Sequence, residues 1–201
     1  MRNLFALAAL ILVAGGFSPA LAADQGTDQS RPVEQTEPAD KAENRLDKLF
    51  ADLKRERNEK AAERIAGQIW EEWFKSGSAS IDLMMMWAQN AMEAQKYDVA
   101  LDFLDEIITL QPTYAEGWNR RATLHFMMSN YSKSMSDIDH TLSLEPRHFG
   151  ALSGMAQILK ASGNKELALK AYQQVLEIYP MMRSAQNEVA TLSEELAGEG
   201  I

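Results

Sequence analysis

From about residue 45 onward, apolar residues recur at three- and four-residue steps, the sign of amphipathic helices buried on one face. Breakers divide these stretches regularly. Pro112, Pro146 and Pro180 stand 34 residues apart, and a fixed period of this size points to stacked helical units. Aligned on the prolines, each unit reads as two helices. The first helices are expected at Asp82–Ala94, Glu116–Met128 and Gly150–Ala161. The second are expected at Tyr97–Leu110, Ser132–Leu144 and Lys165–Ile178. Between them lie Gln95-Lys96, Ser129-Asn130 and Ser162-Gly163-Asn164. A residue before proline is pushed out of helical geometry, so Gln111, Glu145 and Tyr179 should end the second helices.

Equivalent positions agree in physical type. Met84, Trp118 and Leu152 are large and apolar, whereas Ala88, Ala122 and Ala156 are small, as close helix contact requires. Ala100, Ser134 and Ala168 are small again, and bulky Leu104, Ile138 and Tyr172 follow one turn later. A non-repeating helical bundle would not match spacing, size and breaker placement together.

This pattern resembles the tetratricopeptide repeat (TPR) family, whose 34-residue unit reads W-x2-L-G-x2-Y…A-x3-F…P. Unit 115–148 shows Trp118, Ala122, Tyr131 and Pro146. Unit 149–182 shows Leu152, Ala156, Gly163, Ala168, Tyr172 and Pro180, and unit 81–114 shows Met84, Ala88, Tyr97, Ala100, Leu104 and Pro112. The family glycine of the first helix is alanine throughout, and its tyrosine is Ala91, His125 or Leu159. The resemblance implies an all-α, right-handed superhelical solenoid of antiparallel helix pairs, spanning residues 45–197. One step upstream, residues 47–80 read either as a degenerate first repeat, the favoured reading, or as one long capping helix. Phe50, Leu53, Ala66, Trp70 and Trp73 are the matched residues there, and Ser78 replaces the proline. Residues 184–197 read as a solvating cap helix.

The first 22 residues read as an address. Arg2 precedes the apolar run Leu4–Phe17, and Ala20-Leu21-Ala22 fits the small-residue cleavage rule of a secretory signal peptide. Residues 23–44, rich in Gln, Glu, Asp, Thr and Pro, read as a disordered acidic and polar linker. The chain has no cysteine, so an exported domain of this kind must rely on its packed core. Together these features lead us to expect an exported protein of a bacterial envelope, with the periplasm as its compartment, and no stable membrane insertion once the signal is removed.

The formal net charge is −9, and loss of Arg2 makes it more negative. That balance argues against nucleic acid, whose backbone demands a basic surface. Candidate chemistry is sparse. His125, His140 and His148, with Asp137, Asp139 and Glu145, are the only cluster resembling metal ligands, but Asp137, Asp139 and His140 diverge around a helix. They read as polar surface residues, with His125 partly buried in place of a tyrosine. No metal, cofactor or catalytic group is expected.

In the TPR family the first helices line a concave groove. The resemblance therefore places Met85, Gln89, Asn119, Thr123, Ser153 and Gln157 in the groove, with Arg120 near its rim. Ala88, Pro112, Trp118, Ala122, Pro146, Ala156, Ala168 and Pro180 carry the architecture. Only Asn119 and Arg120 resemble the carboxylate clamp that some TPR proteins use, since Met85, Met86, Ser153 and Gly154 occupy the equivalent places. The expected function is a non-catalytic adaptor holding a peptide or protein segment. The alternative is a structural module that self-assembles, which exposed Trp70, Trp73 or Trp87 would favour.

Overall fold

A computed structural model describes residues 37–199 of the chain. The expected signal peptide at 1–22, and the expected linker up to residue 36, lie outside the described residues. The described residues are all-α and form nine helices: α1 (Glu37–Arg55), α2 (Glu59–Trp73), α3 (Ala79–Glu93), α4 (Tyr97–Leu110), α5 (Ala115–Met127), α6 (Tyr131–Leu144), α7 (Phe149–Ala161), α8 (Lys165–Ile178) and α9 (Arg183–Glu199). Helix pairs α3/α4, α5/α6 and α7/α8 pack within themselves and then one on the next, giving a helix-pair solenoid. The last 8 positions of the expected linker, from Glu37, already belong to α1.

Two recurring turns build the stack. At each inter-unit turn the proline holds the second position of a tight turn, for which its fixed φ is suited. The amide of Tyr114 bonds the carbonyl of Gln111 at 3.0 Å, and His148 to Glu145 and Met182 to Tyr179 repeat the bond at 3.1 Å. Gln111, Glu145 and Tyr179 indeed leave helical geometry, with ψ of 74°, 92° and 78°. Inside each unit the first helix ends in a Schellman motif. The amide of Lys96 reaches back to Ala91, Asn130 to His125 and Asn164 to Leu159 at 2.8–2.9 Å. The motif needs a left-handed residue, and the period places it at Gln95 (φ 56°), Ser129 (φ 59°) and Gly163 (φ 79°). Only the third unit supplies the glycine that adopts this conformation without strain.

Small residues set the distance between helices. Ala88, Ala100, Ala156 and Ala168 have no exposure, and Ala122 and Ser134 almost none. The Ser134 hydroxyl is satisfied by donating to the Ala122 carbonyl at 2.8 Å. α9 closes the last unit by burying Ala185 and Leu192 against α7 and α8, so it contributes core as well as a solvated cap.

Residues 47–80 are where the structure departs from the expectation of a fourth stacked repeat. α1 and α2 form a hairpin, but they do not stack in front of α3 and α4. Their apolar residues Leu49, Phe50, Leu53, Ala62, Ala66, Ile69 and Trp73 join one core with Phe149, Leu152, Tyr172, Val175 and Tyr179 of the last repeat. The core of α3 and α4 includes none of them. The hairpin instead runs along the edge where the inter-unit turns line up. At the first turn, Tyr114 Oη donates to the Phe74 carbonyl and Gln111 Nε2 to the Ser76 carbonyl. At the second, Arg147 pairs with Asp47 and lies over the Phe50 ring, while Trp70 and Trp73 pack on His148 and Phe149. At the third, Arg183 pairs with Glu59. The physical reason is aromatic burial: Trp70 and Trp73 find apolar and ring partners at the second turn. Gly150 leaves room for them, since a Cβ there would stand 2.7 Å from Trp70.

The left-handed caps yield a direct expectation. Gln95→Gly and Ser129→Gly should each stabilise the chain by about 0.5–1 kcal/mol, whereas Gly163→Ala should destabilise it by about 1 kcal/mol. Thermal unfolding of the three variants checks the opposite signs.

Candidate functional site

The groove face is assembled from first helices, whose N-terminal turns are held by a buried polar network. Glu116, in the first turn of α5, is 1% exposed. Its carboxylate accepts from Asn119 Nδ2 and from Arg120 Nη2, each at 2.9 Å. Its third partner is the last residue of the unit, at the cap of the next unit's first helix: His148 Nε2 lies 3.2 Å from Glu116 Oε2. His148 caps α7, because its Nδ1 accepts the Ala151 amide at 3.0 Å. That bond fixes the tautomer: Nδ1 carries a lone pair, so Nε2 carries the proton and donates to Glu116. His148 is therefore no surface residue; it is fully buried and its ring stacks on Trp73 at 4.0 Å. Arg120 extends the network to α3 by donating to Gln89 Oε1 at 2.9 Å, and its guanidinium lies over the Phe74 ring.

A second network lies between α4, α5 and α6. Arg121 donates two bonds to Asp137, at 2.9 and 2.7 Å, and one to Asp105 at 2.7 Å. Hydrogen bonding to Asp137 holds its guanidinium even more firmly protonated than usual. His125 is buried as expected, with Nε2 3.9 Å from Asp137 and Nδ1 lacking a hydrogen-bond partner among the described atoms. Burial pushes its pKa down, against the opposing pull of Asp137. His140 sits on the surface, stacked on Trp118 at 4.3 Å. Among the described residues, no group of three or more His, Cys, Asp or Glu side chains converges as a metal site. No helix among them is long and apolar enough to cross a membrane.

Three concavities follow one another over the first helices. The first, of about 500 Å³, lies between α3 and α5 and brings together Met85, Gln89 and Arg120. The second, of about 150 Å³, lies between α5 and α7 and brings together Asn119, Thr123 and Gln157. The third, of about 720 Å³, lies between α7 and α9 and includes Ser153 and Gln157. Each of the seven sequence-assigned groove residues lines one or another of these three concavities. They differ in availability. Thr123 and Gln157 are exposed, whereas Met85, Asn119 and Ser153 are buried, the last donating to the Phe149 carbonyl. Met86, named from the sequence only as a place where a clamp residue is lacking, is also part of this lining. It is 59% exposed and lines the first concavity with Asp82 and Gln89, its neighbours at one-turn spacing on α3. Phe74 and Lys75 form another wall and were also missed, because they belong to the hairpin's exit and not to any repeat.

The arrangement offers little free charge. Arg120 is committed to Glu116 and Gln89, Lys75 pairs with Glu72 at 2.9 Å, and Asp82 accepts from the Ser76 amide and hydroxyl. What the first concavity presents is an apolar floor of Phe74, Met85 and Met86 beside the amides of Gln89 and Asn90. Such a surface is suited to an apolar side chain with backbone amides beside it.

Comparison with known proteins matches this geometry. Residues 151–180 match the family model described as a tetratricopeptide repeat. A TPR repeat-containing protein of Rhizobium etli is 58% identical over 166 residues, covering 83% of this chain and 81% of that protein. The small glutamine-rich tetratricopeptide repeat-containing protein 2 of Saccharomyces cerevisiae is 31% identical over 117 residues, 58% of this chain and 34% of that protein. Among solved structures, the first TPR domain of Spaghetti (RPAP3), bound to the HSP90 peptide SRMEEVD, aligns with a TM-score of 0.55 at 25% identity. It covers 58% of this chain and 93% of that one. MamA aligns with a TM-score of 0.55 at 16% identity, over 69% and 81% of the two chains, a likeness of fold.

Two outcomes follow from the networks. Glu116→Ala strands the buried donors of three residues and should cost about 3–5 kcal/mol, read by chemical denaturation. For His125 the lowered pKa means that the folded state resists the proton that the unfolded chain takes up. Its contribution is intact above the unfolded pKa, about 6.5, and is lost as pH falls toward the folded value. His125→Phe should flatten the fall in stability between neutral and mildly acidic pH, measured by denaturation across that range.

Proposed function

The chain belongs to the tetratricopeptide repeat family, and from that premise we propose that it is a non-catalytic adaptor that holds a peptide or protein segment in the groove lined by α3, α5 and α7. The observation that carries this reading is the run of concavities over those helices, with exposed Met86, Thr123 and Gln157 above a buried network that fixes their backbone. Hydrogen bonds within the chain hold the groove wall at Glu116, Arg120 and Gln89, which lowers the ordering entropy that opposes association. The peptide-bound Spaghetti domain, similar in fold and sequence, supports peptide holding as the use of such a face.

The kind of segment follows from the charges. SRMEEVD is acidic and ends in carboxylates, whereas here Arg120 is already neutralised by Glu116. The segment suited to this groove inserts an apolar side chain between Phe74, Met85 and Met86 and meets amide groups beside it. Methionines adapt to several side-chain shapes and favour a tolerant anchor.

The setting we propose is the bacterial cell envelope after export. Arg2, the apolar run Leu4–Phe17 and the Ala20-Leu21-Ala22 rule support that setting, and a cysteine-free domain is suited to it. Fractionation of the producing cells, with N-terminal sequencing of the mature chain, checks this part. An unprocessed chain in the cytoplasm overturns it.

Crosslinked capture from the envelope fraction tests the groove. Met86→Asp and Gln157→Arg alter exposed groove positions outside the buried networks, so the fold should be kept. Each is expected to reduce capture about tenfold, the scale of a hot-spot contact. Undiminished capture by both variants removes the groove from the reading.

A further inference from the structure

The first unit has a face that its successors keep covered. Leu83, Trp87 and Asn90 on α3 and Ala94 at its C-cap follow one another at three- and four-residue steps, as do Val99, Phe103, Glu106 and Leu110 on α4. Trp87 and Phe103 meet across the pair at 5.5 Å. Leu83 and Val99 are exposed, Trp87 is 45% exposed and Leu110 59%. A hollow of about 470 Å³ lies among Trp87, Ala91, Ala94, Lys96, Val99 and Phe103. A contiguous patch of this kind marks an association surface.

The period shows what this face is. Leu83 corresponds to Gly117 in the second unit, where a Cβ would stand 3.0 Å from Ile107 of the preceding unit. In the third unit it corresponds to Ala151, which shares a core with Ile138 of the preceding unit. Trp87 and Phe103 correspond to Arg121 and Asp137, and Arg121 reaches back to Asp105 of the preceding unit. The face is therefore the unit-to-unit interface of the solenoid without its preceding unit. The α1/α2 hairpin does not fill it, because that hairpin lies along the inter-unit turns.

We propose that a second copy of this chain covers this face, pairing α3/α4 with α3/α4 about a two-fold axis. Three observations select that occupant. The surface continues an interface that already holds the units of this chain together. The opposite end of the stack cannot serve as its mate: α9 buries Ala185 and Leu192 inward and exposes Ser184, Asn187, Thr191, Glu194 and Glu195, so head-to-tail stacking is closed off. The charges are self-complementary as well. Lys96 and Glu106 lie on opposite sides of the Val99–Phe103 stripe along α4. An antiparallel two-fold through that stripe sets each lysine against the glutamate of the second copy. A two-fold interface of this type is self-complementary and stops at two copies.

Sedimentation of the purified chain over a wide concentration series tests the pairing. The expected result is a monomer–dimer equilibrium that Trp87→Asp abolishes. Lys96→Glu and Glu106→Lys should each weaken the dimer about tenfold, since every copy then faces like charge at two symmetry-related points. The double variant should return to near the original affinity. Circular dichroism of the charge variants, whose positions are exposed, separates lost pairing from lost folding. A chain that stays monomeric throughout overturns the proposal, including one that captures a different protein through Trp87. So does a dimer indifferent to Trp87→Asp, or a double variant as weak as the single ones.

Discussion

A carboxylate shut away from water is the point on which the rest of this structure turns. Burying Glu116 would be prohibitive unless its oxygens were fully occupied, and the donors come from its own helix and from the cap of α7, where the following unit begins. Each donor is committed in turn. His148 can donate from Nε2 only because the Ala151 amide occupies Nδ1, and its ring is held flat by Trp73. Arg120 can remain beside the groove only because Glu116 balances it, and its other side fixes Gln89. One buried charge thus ties the second unit to the third, to the N-terminal hairpin and to the groove wall. Such networks are demanding: they hold one arrangement well and tolerate partial satisfaction badly.

This junction accounts for the hairpin's position. A helix pair with the apolar content of residues 47–80 could in principle extend the stack upstream, as the period invites. It instead buries Trp73 on His148, inserts Trp70 against Gly150 and Phe149, and places Phe74 under Arg120. The consequence is double. The groove gains a wall contributed from outside the repeats, and the first unit loses the neighbour that would have covered Leu83 and Trp87.

Much of this was legible beforehand, and the limits have physical causes. Repeat bounds could be read because proline and the cap residues act locally: Gln111, Glu145 and Tyr179 leave the helix owing to the residue that follows each of them. The small positions could be read because helix approach is a steric demand that recurs every 34 residues. The buried fate of His148 could not, because its partners Trp73, Glu116 and Ala151 come from three separate parts of the chain, and no local spacing brings the first two near it. The residues assigned to the groove do line concavities over the first helices, but the most exposed methionine there is Met86 and not Met85. A one-position difference on a helix is a rotation of about 100°, which separates a mostly buried side chain at Met85 from a mostly exposed one at Met86.

The same reasoning explains why Asn119 and Arg120 resemble a clamp without forming one. In a sequence, an arginine near a groove counts as a free cation. In the fold its charge belongs to whichever carboxylate satisfies it at the lowest desolvation cost, and Glu116, one turn earlier on the same helix, is positioned before any ligand arrives. A ligand carboxylate would have to compete for Arg120 with a buried carboxylate whose remaining donors, Asn119 and His148, carry no balancing charge in the tautomer assigned above. Charge at this site is structural, and under the proposed function selectivity would fall to the apolar side chains of Phe74, Met85 and Met86. The polar residues that first suggest recognition hold the scaffold, and the apolar ones beside them form the surface on which the proposed binding depends.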